Sequence, residues 1–174
     1  MNIHHEQRVG ILVDVQNLYY SAKNLYGTRV NFDQLLSLSL NERQLIRAIA
    51  YVISADNNEE VKFFDFLKNV GFEVRQKELL NYWGGKSKGD WDVGITVDAI
   101  KLAEKLDVIA LVTGDGDFTP LVEYLQFKGI MVEVISFSKT TSSRLIEQAD
   151  VFVDLDNYTN SILLEPHKEE DRKD

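Results

Sequence analysis

Residues 108–120, Val108-Ile-Ala-Leu-Val-Thr-Gly-Asp-Gly-Asp-Phe-Thr-Pro120, decide the fold class of this 174-residue chain. The run of apolar residues predicts a buried strand at residues 108–113, and Pro120 suits the first turn of a helix that follows. Asp115 and Asp117 lie between these two elements. Ligands of open α/β sheets bind at the carboxyl ends of the strands, so both aspartates are placed for chemistry.

The remainder of the chain alternates between strand and helix patterns. Further strands are predicted at residues 8–14, 45–54, 72–78, 131–137 and 151–155. Helices are predicted at residues 17–26 with Asn17 as the cap, from residue 31, and at residues 57–69, 90–106, 120–128 and 140–148. We therefore expect an α/β fold, a Rossmann-like three-layer α/β/α sandwich with a mainly parallel sheet of five to six strands. Residues 8–160 should form this single domain, between a flexible N-terminus at residues 1–7 and a charged C-terminal tail at residues 161–174.

The composition is that of a folded protein, with 44% apolar and 27% charged residues. The chain has no cysteine, which excludes disulfides and thiolate sites. No apolar run reaches the roughly 18 residues of a membrane span, and the first residues lack the apolar core of a signal peptide, so we expect a cytoplasmic protein without membrane association. Its 19 basic and 28 acidic residues give a net charge of −9, which argues against binding nucleic acid by charge alone.

Two more aspartates are expected near Asp115 and Asp117. Asp14 ends the first strand, and Asp92 lies at the start of the helix that precedes the strand at residues 108–113. Those two strands are expected to be neighbours, so the four carboxylates should share one mouth. Grouped carboxylates repel one another, and a divalent cation removes that cost. Sites built only from oxygen ligands suit Mg²⁺ or Mn²⁺, which support phosphodiester hydrolysis.

Each acid also has a structural explanation. Asp14 is equally explained as a strand-end turn or helix cap, and Asp115 or Asp117 as a turn residue beside a glycine. Asp92 in a first helical turn would complement the helix dipole. Asp98 is expected on a solvated helix face, on a stripe with two lysines.

Residues 81–90 have the composition of a loop, with three glycines, two lysines and two aromatic residues. Lys86 and Lys88 are candidate substrate-binding residues, because lysines contact phosphates. Tyr82, Trp83 and Trp91 are candidate surfaces for stacked bases. A solvated loop with its aromatic residues packed on the core explains the same residues equally well. The hydroxyl residues at 140–143 could bind phosphate at a helix start, although helix capping explains them more often.

Four motifs together resemble a known family. They are Val-Asp14-Val-Gln-Asn17, Lys88-Gly-Asp-Trp-Asp92-Val with Asp98 six residues further on, Thr113-Gly-Asp115-Gly-Asp117-Phe-Thr-Pro, and Ser143-Arg-Leu-Ile-Glu-Gln-Ala-Asp150-Val-Phe. In this order they resemble the NYN domains of the LabA-like group, which belong to the PIN-like nuclease superfamily. The resemblance extends over residues 8–156.

The resemblance implies a PIN-like fold and Mg²⁺- or Mn²⁺-dependent ribonuclease chemistry. It implies that the catalytic and metal-binding residues are Asp14, Asp92, Asp115 and Asp117, with Asn17, Asp98, Thr113 and Asp90 as supporting residues. One departure concerns the second motif. The family usually has Lys-Gly-x-Asp before the helix, whereas here Gly89 is followed by Asp90-Trp91-Asp92, so Asp90 competes for the role given to Asp92. Asp92 is preferred because it keeps the following Val and the six-residue step to Asp98.

We therefore expect a metal-dependent endoribonuclease that acts on single-stranded RNA. The alternative is a non-catalytic module of the same fold that binds RNA or a protein, and the acidic net charge favours it. A phosphohydrolase of small molecules with the same metal pocket also stays open, as do self-association and a protein partner.

Overall fold

A computed structural model describes residues 4–55, 57–82 and 86–165 of the chain. The strands are β1 (Arg8–Asp14), β2 (Gln44–Ser54), β3 (Glu73–Glu78), β4 (Leu80–Tyr82), β5 (Lys86–Lys88), β6 (Val108–Val112), β7 (Met131–Ser136) and β8 (Val151–Asp154). The helices are α1 (Val15–Tyr26), α2 (Phe32–Leu40), α3 (Asn58–Val70), α4 (Asp92–Ala103), α5 (Thr119–Phe127), α6 (Ser143–Gln148) and α7 (Thr159–Ile162).

Six of these strands form one parallel sheet in the order β3-β2-β1-β6-β7-β8. All five residues of β6 are buried, because helices cover both faces of the sheet. The apolar sides of α1, α2, α3 and α7 pack on one face, and those of α4, α5 and α6 pack on the other. The predicted three-layer α/β/α sandwich with a parallel sheet is therefore confirmed.

The order of the strands reverses between β1 and β6, as predicted. The two strands pair in parallel from Val9 opposite Val108 to Val13 opposite Val112. The chain moves from β1 outward to β2 and β3, and then returns through α4 to β6 on the other side of β1. This reversal opens a crevice at the carboxyl ends of β1 and β6, next to the amino end of α4.

Several predicted boundaries are wrong for local reasons. The first helix begins at Val15, because Asp14 rather than Asn17 is its N-cap. The predicted helix at 90–106 runs only from Asp92 to Ala103, and the predicted helix at 140–148 is a 3₁₀ turn at Ser138–Thr140 followed by the short α6. The segment predicted as a loop contains the antiparallel pair β4 and β5, whose three-residue strands are too short to give a clear periodicity.

Packing continues past the predicted domain boundary at residue 160. Leu163 pairs with Val30, and the Leu164 amide donates a hydrogen bond of 2.8 Å to the Arg29 carbonyl. Residues 166–174 of the predicted tail and residues 1–3 of the predicted flexible terminus lie outside the described residues. Across the described ranges, no helix is long and apolar enough to cross a membrane.

Candidate active site

Asp14 links β1 to α1 at the mouth of the crevice. Its Oδ1 accepts a hydrogen bond of 3.2 Å from the Asn17 amide, which caps the helix, and its Oδ2 accepts one of 3.3 Å from the Thr113 hydroxyl. Asp14 is thus the helix cap that its position suggested, and it also faces the end of β6. The two hydrogen bonds hold its carboxylate between the two central strands.

The segment after β6 is held by a chain of hydrogen bonds. The Gly114 amide donates to Asn17 Oδ1 at 2.9 Å, and the Asp115 amide donates to Thr113 Oγ1 at 3.2 Å. Asp115 Oδ1 in turn accepts a bond of 2.9 Å from the Asp117 amide, which starts a 3₁₀ turn. Asn17 and Thr113 therefore position the backbone from which Asp115 and Asp117 project.

Gly114 and Gly116 are needed because this segment lies against its neighbours. A Cβ on Gly114 would lie 3.0 Å from Thr141 Oγ1, and one on Gly116 would lie 2.6 Å from Ser142 Oγ. Neither glycine has a positive φ. The glycines thus permit a close approach to residues 140–142, and a larger residue would push the two aspartates out of place.

Asp92, Asp115 and Asp117 come together although they belong to different elements. One carboxylate oxygen from each lies within 4.8 Å of the others. Asp92 is the first residue of α4, whose amino end faces the same edge as the carboxyl end of β6. Asp90 is exposed and lines the same cleft, but it is not part of this three-carboxylate group.

Asp14 completes the acidic surface of a cleft of about 350 Å³ that Asp92 and Asp115 also line. Burial raises the pKa of Asp14 to about 6, and the charges of Asp92 and Asp115 add to this shift. The bonds from Asn17 and Thr113 oppose it. The Asp14 carboxylate is thus held in an environment that disfavours its negative charge.

The pKa of Asp92 is also raised, first by burial and then by the charges of Asp115, Asp90 and Asp117, whereas Lys77 has a smaller, opposing effect. Among the described residues, none of the carboxylates of Asp14, Asp92, Asp115 and Asp117 forms an ion pair. The described residues therefore gather negative charge at this edge without pairing it with a cation.

The donor set suits a hard divalent cation. Oxygen ligands of Mg²⁺ or Ca²⁺ lie about 2.0–2.6 Å from the ion, so two oxygens on one ion are at most about 5 Å apart. The mutual distances within 4.8 Å among the Asp92, Asp115 and Asp117 oxygens satisfy this limit. With oxygen donors alone, the group suits a hard divalent cation better than a softer metal.

Asp98 has a different environment from the one predicted. The expectation of a solvated face is wrong, because Asp98 is only 8% exposed. Its Oδ2 accepts a hydrogen bond of 2.8 Å from the Tyr51 hydroxyl and lies 3.4 Å from Arg75 Nε. The helical pattern gave no sign that β2 and β3 would present these partners. Asp98 is linked to the cleft through Tyr51, whose ring contacts Trp91 at 5.2 Å between centroids.

Trp91 lines the cleft but is held by the core. Its Nε1 donates a hydrogen bond of 2.8 Å to the Val52 carbonyl, and a Cβ on Gly94 would lie 2.4 Å from its ring. Lys77 Nζ lies 4.9 Å from the ring centroid. These contacts favour the explanation of Trp91 as an aromatic residue packed on the core.

The other candidate contacts of this segment are described only in part. Lys86 and Lys88 lie on β5 and Tyr82 on β4, and the structure describes their backbone alone. Trp83 lies outside the described residues. The roles of these four residues in binding stay predictions.

The wall that α1 contributes to the cleft was not predicted from the sequence. Gln16, Tyr20 and Asn24 line it, together with Ser21 and with Thr140 from the turn before α6. The three residues recur every fourth position on a helix that starts directly after Asp14. That spacing was visible in the sequence, but its use required knowing which face of α1 is turned toward the cleft.

Comparison with known proteins places the chain among related sequences. LabA of Synechococcus elongatus, the low amplitude and bright protein, is 27% identical over 163 residues, which cover 89% of this chain and 87% of LabA. The crystal structure of VPA0982, a protein of unknown function from Vibrio parahaemolyticus, superposes with a TM-score of 0.85 at 39% identity, covering 94% of this chain and all of that one. The family model of the NYN domain matches residues 8–156, which include Asp14, Asp92, Asp115 and Asp117. The chain therefore belongs to the NYN domain family and is LabA-like within it.

Proposed function

We propose that this protein is a metal-dependent nuclease that hydrolyses phosphodiester bonds of single-stranded RNA at the carboxyl edge of its sheet. The observation that carries the proposal is the approach of the Asp92, Asp115 and Asp117 carboxylates to within 4.8 Å of one another. They stand beside the partly buried Asp14, and none of the four has an ion pair among the described residues. Membership of a PIN-like nuclease family agrees with this chemistry.

The residues of the chain would divide the work as follows. Asp92, Asp115 and Asp117 would hold Mg²⁺ or Mn²⁺, and Asp14 supplies a fourth carboxylate to the same cleft. When bound, such an ion polarises a phosphoryl oxygen and lowers the pKa of water. Thr113 and Asn17 keep Asp14 and the backbone of Asp115 in place through their hydrogen bonds. Their contribution is preorganisation, because carboxylates that are already positioned need no rearrangement when the substrate arrives.

The test is cleavage of labelled single-stranded RNA by purified protein with Mg²⁺ or Mn²⁺, compared with the same reaction in EDTA. We expect cleavage that requires the metal and falls by at least about 100-fold in Asp92→Asn and Asp115→Asn, the scale of losing electrostatic stabilisation in an active site. Asp33→Asn, which changes an exposed acid in the first turn of α2, is the matched control and should cleave like the wild type. Equal cleavage by all variants would point to a contaminating nuclease and would contradict the proposal.

A non-catalytic binding module is the second candidate. The net charge of −9 favours it, as does the absence of lysine and arginine from the described lining of the cleft. This module would bind RNA or a protein without turnover in any metal. Hydrolysis of nucleoside monophosphates but not of RNA would instead favour the small-molecule phosphohydrolase.

A further inference from the structure

The wall of the cleft formed by α1 differs in chemistry from the acidic wall opposite. Gln16, Tyr20 and Asn24 bring two amides and one phenol to a cleft whose other side carries Asp90 and Asp92. Within the described chain, the side chains of Gln16 and Asn24 form no hydrogen bond. Each amide offers both donors and an acceptor, which are the groups that pair with the edge of a nucleobase.

Of the two aromatic residues that line the cleft in the described part of the chain, Tyr20 is the one whose ring is not packed into the core. It is 52% exposed, whereas Trp91 on the opposite side packs against Tyr51 and bonds to the Val52 carbonyl. The ring of Tyr19 contacts the Tyr20 ring at 5.5 Å between centroids, in a T-shaped arrangement. Exposed aromatic rings in a groove are the platforms on which single-stranded bases stack.

The charge of the cleft makes such a platform necessary for binding a strand. Proteins usually hold phosphates with lysine and arginine, and neither lines the cleft in the part of the chain that the structure describes. Asp14, Asp90, Asp92 and Asp115 repel a polyanion there unless a cation intervenes. Affinity for a strand must therefore come in part from uncharged contacts, and the α1 wall supplies them.

We infer that Gln16, Tyr20 and Asn24 form a nucleobase subsite, in which Tyr20 stacks on a base of a single-stranded polynucleotide and the two amides contact base edges. The inference rests on the proposed function for the position of the scissile phosphate. Tyr20 lies six residues after Asp14, about 9 Å along the axis at a rise of about 1.5 Å per residue. The bound base therefore belongs to a nucleotide beside the cleavage position, while Asp14 and Asp92 face the phosphate.

The test measures binding and not cleavage. A fluorescein-labelled single-stranded RNA is titrated with protein in Ca²⁺, and a gel verifies at the end that the strand is intact. Replacing Tyr20 by Ala should weaken binding by about 5- to 150-fold, the loss for one stacked base, and Tyr20→Phe should bind like the wild type. The matched control is Tyr124→Ala. Tyr124 also lies on a helix, α5, and is 39% exposed, but it does not line the cleft.

A strand of the same length with abasic residues separates base contacts from backbone contacts. It should bind the wild type at least as weakly as the intact strand binds Tyr20→Ala, because it also loses the contacts of the two amides, and the substitution should have no further effect on it. Competition with a nucleoside monophosphate distinguishes a strand from a free nucleotide.

The inference is overturned if the wild type does not bind the strand, if Tyr20→Ala binds unchanged, if the abasic strand binds as well as the intact one, or if the monophosphate binds as tightly as the strand. Binding that depends on Tyr20 without cleavage in Mg²⁺ or Mn²⁺ would support the subsite and contradict the nuclease, and cleavage with unchanged binding by Tyr20→Ala would do the reverse.

Discussion

The acids of the cleft and the acid on β7 have opposite electrostatic surroundings. Glu133 accepts two hydrogen bonds from Arg43, at 2.7 and 2.8 Å, and the exposed fractions of the two side chains are only 11% and 4%. Arg43 also donates to the carbonyls of Leu40 and Ser39. Asp14 is only partly buried, and its neighbours are acids, so burial first and then the charges of Asp92 and Asp115 raise its pKa.

The difference separates an acid that serves the fold from one that is available to a ligand. A buried carboxylate that is hydrogen-bonded to a guanidinium has its negative charge neutralised, so it is not available to bind a cation. A partly buried carboxylate among other carboxylates costs free energy until a cation binds. The sheet thus carries both kinds of carboxylate, Glu133 paired with Arg43 and Asp14 among other acids, and substitutions can test each.

The largest effect on stability is expected at the paired acid. Arg43→Met would leave Glu133 buried without a counter-charge, so the free energy of unfolding should fall by about 3–5 kcal/mol. Urea denaturation followed by circular dichroism measures the change. The double variant Arg43→Met/Glu133→Leu should recover most of the loss, because an apolar pair needs no counter-charge. If Arg43→Met were as stable as the wild type, Arg43 and Glu133 would not form a buried ion pair.

A substitution with the opposite effect, one that raises the free energy of unfolding, is expected at the cleft. Without divalent metal at pH 8, Asp14→Asn should stabilise the protein by up to about 3 kcal/mol, because a pKa raised to about 6 makes the ionised carboxylate unfavourable in the fold. The folded state holds the Asp14 proton more tightly than the unfolded chain does. The penalty is therefore absent below pH of about 4, appears as the pH rises, and is complete above pH of about 6.

Asparagine is a suitable test residue because it caps helices as well as aspartate does. Thermal unfolding in EDTA at pH 4.0 and pH 8.0 measures the difference, with Asp33→Asn as the exposed control. A destabilised Asp14→Asn at pH 8 would contradict the description of Asp14 as an acid that the fold disfavours.

An intermediate effect on stability is expected at Asp98, whose surroundings combine a hydrogen bond from a tyrosine with a nearby arginine. Tyr51→Phe removes the hydrogen bond of 2.8 Å and leaves Arg75 as the charged contact, so we expect a loss of about 1–2 kcal/mol in the free energy of unfolding. Because Trp91 contacts Tyr51, its fluorescence should shift as well. An unchanged stability would mean that Asp98 takes its partner from water instead.

The smallest effect is expected at the surface pair of Arg8 and Asp107. The hydrogen bond from Arg8 lowers the pKa of Asp107 to about 2, but the side chains are 46% and 40% exposed, so water screens the pair. A lowered pKa contributes stability above pH of about 4 that is lost as the pH falls towards 2. Asp107→Asn should thus lower the melting temperature at pH 7 by less than Tyr51→Phe does, and the difference should shrink on acidification. A larger loss than that of Tyr51→Phe would contradict this ranking.

The comparison also explains how much could be predicted from the sequence. The sheet, the neighbouring positions of β1 and β6, and the placement of Asp14 and Asp115 at strand ends follow from short-range patterns and the rules of parallel sheets. Partners that are far apart in sequence do not follow from them. Arg43 and Glu133 are 90 residues apart, and Asp98 meets Tyr51 across 47 residues. Their pairing depends on the packing of side chains across layers, which no periodicity reports.

The same limit applies to the cleft. The four acids could be grouped because each stands at an element boundary, whereas Tyr20 lies inside α1 and its face was unknown. Trp91, for which the sequence left a stacking surface and a core position equally open, is held by Tyr51 and the Val52 carbonyl. Boundary residues were predictable, and the allocation of aromatic residues between core and cleft was not.

The central claim is that the carboxylates at the edge of the sheet hold a divalent cation, and titration of Mn²⁺ into metal-free protein by calorimetry tests it most directly. We expect saturable binding at pH 7.5 that is lost, or weakened by at least about tenfold, in Asp92→Asn and in Asp115→Asn, because each removes one of a few charged ligands. Asp33→Asn should bind like the wild type. No Mn²⁺ binding by the wild type, or equal binding by all variants, would contradict the account.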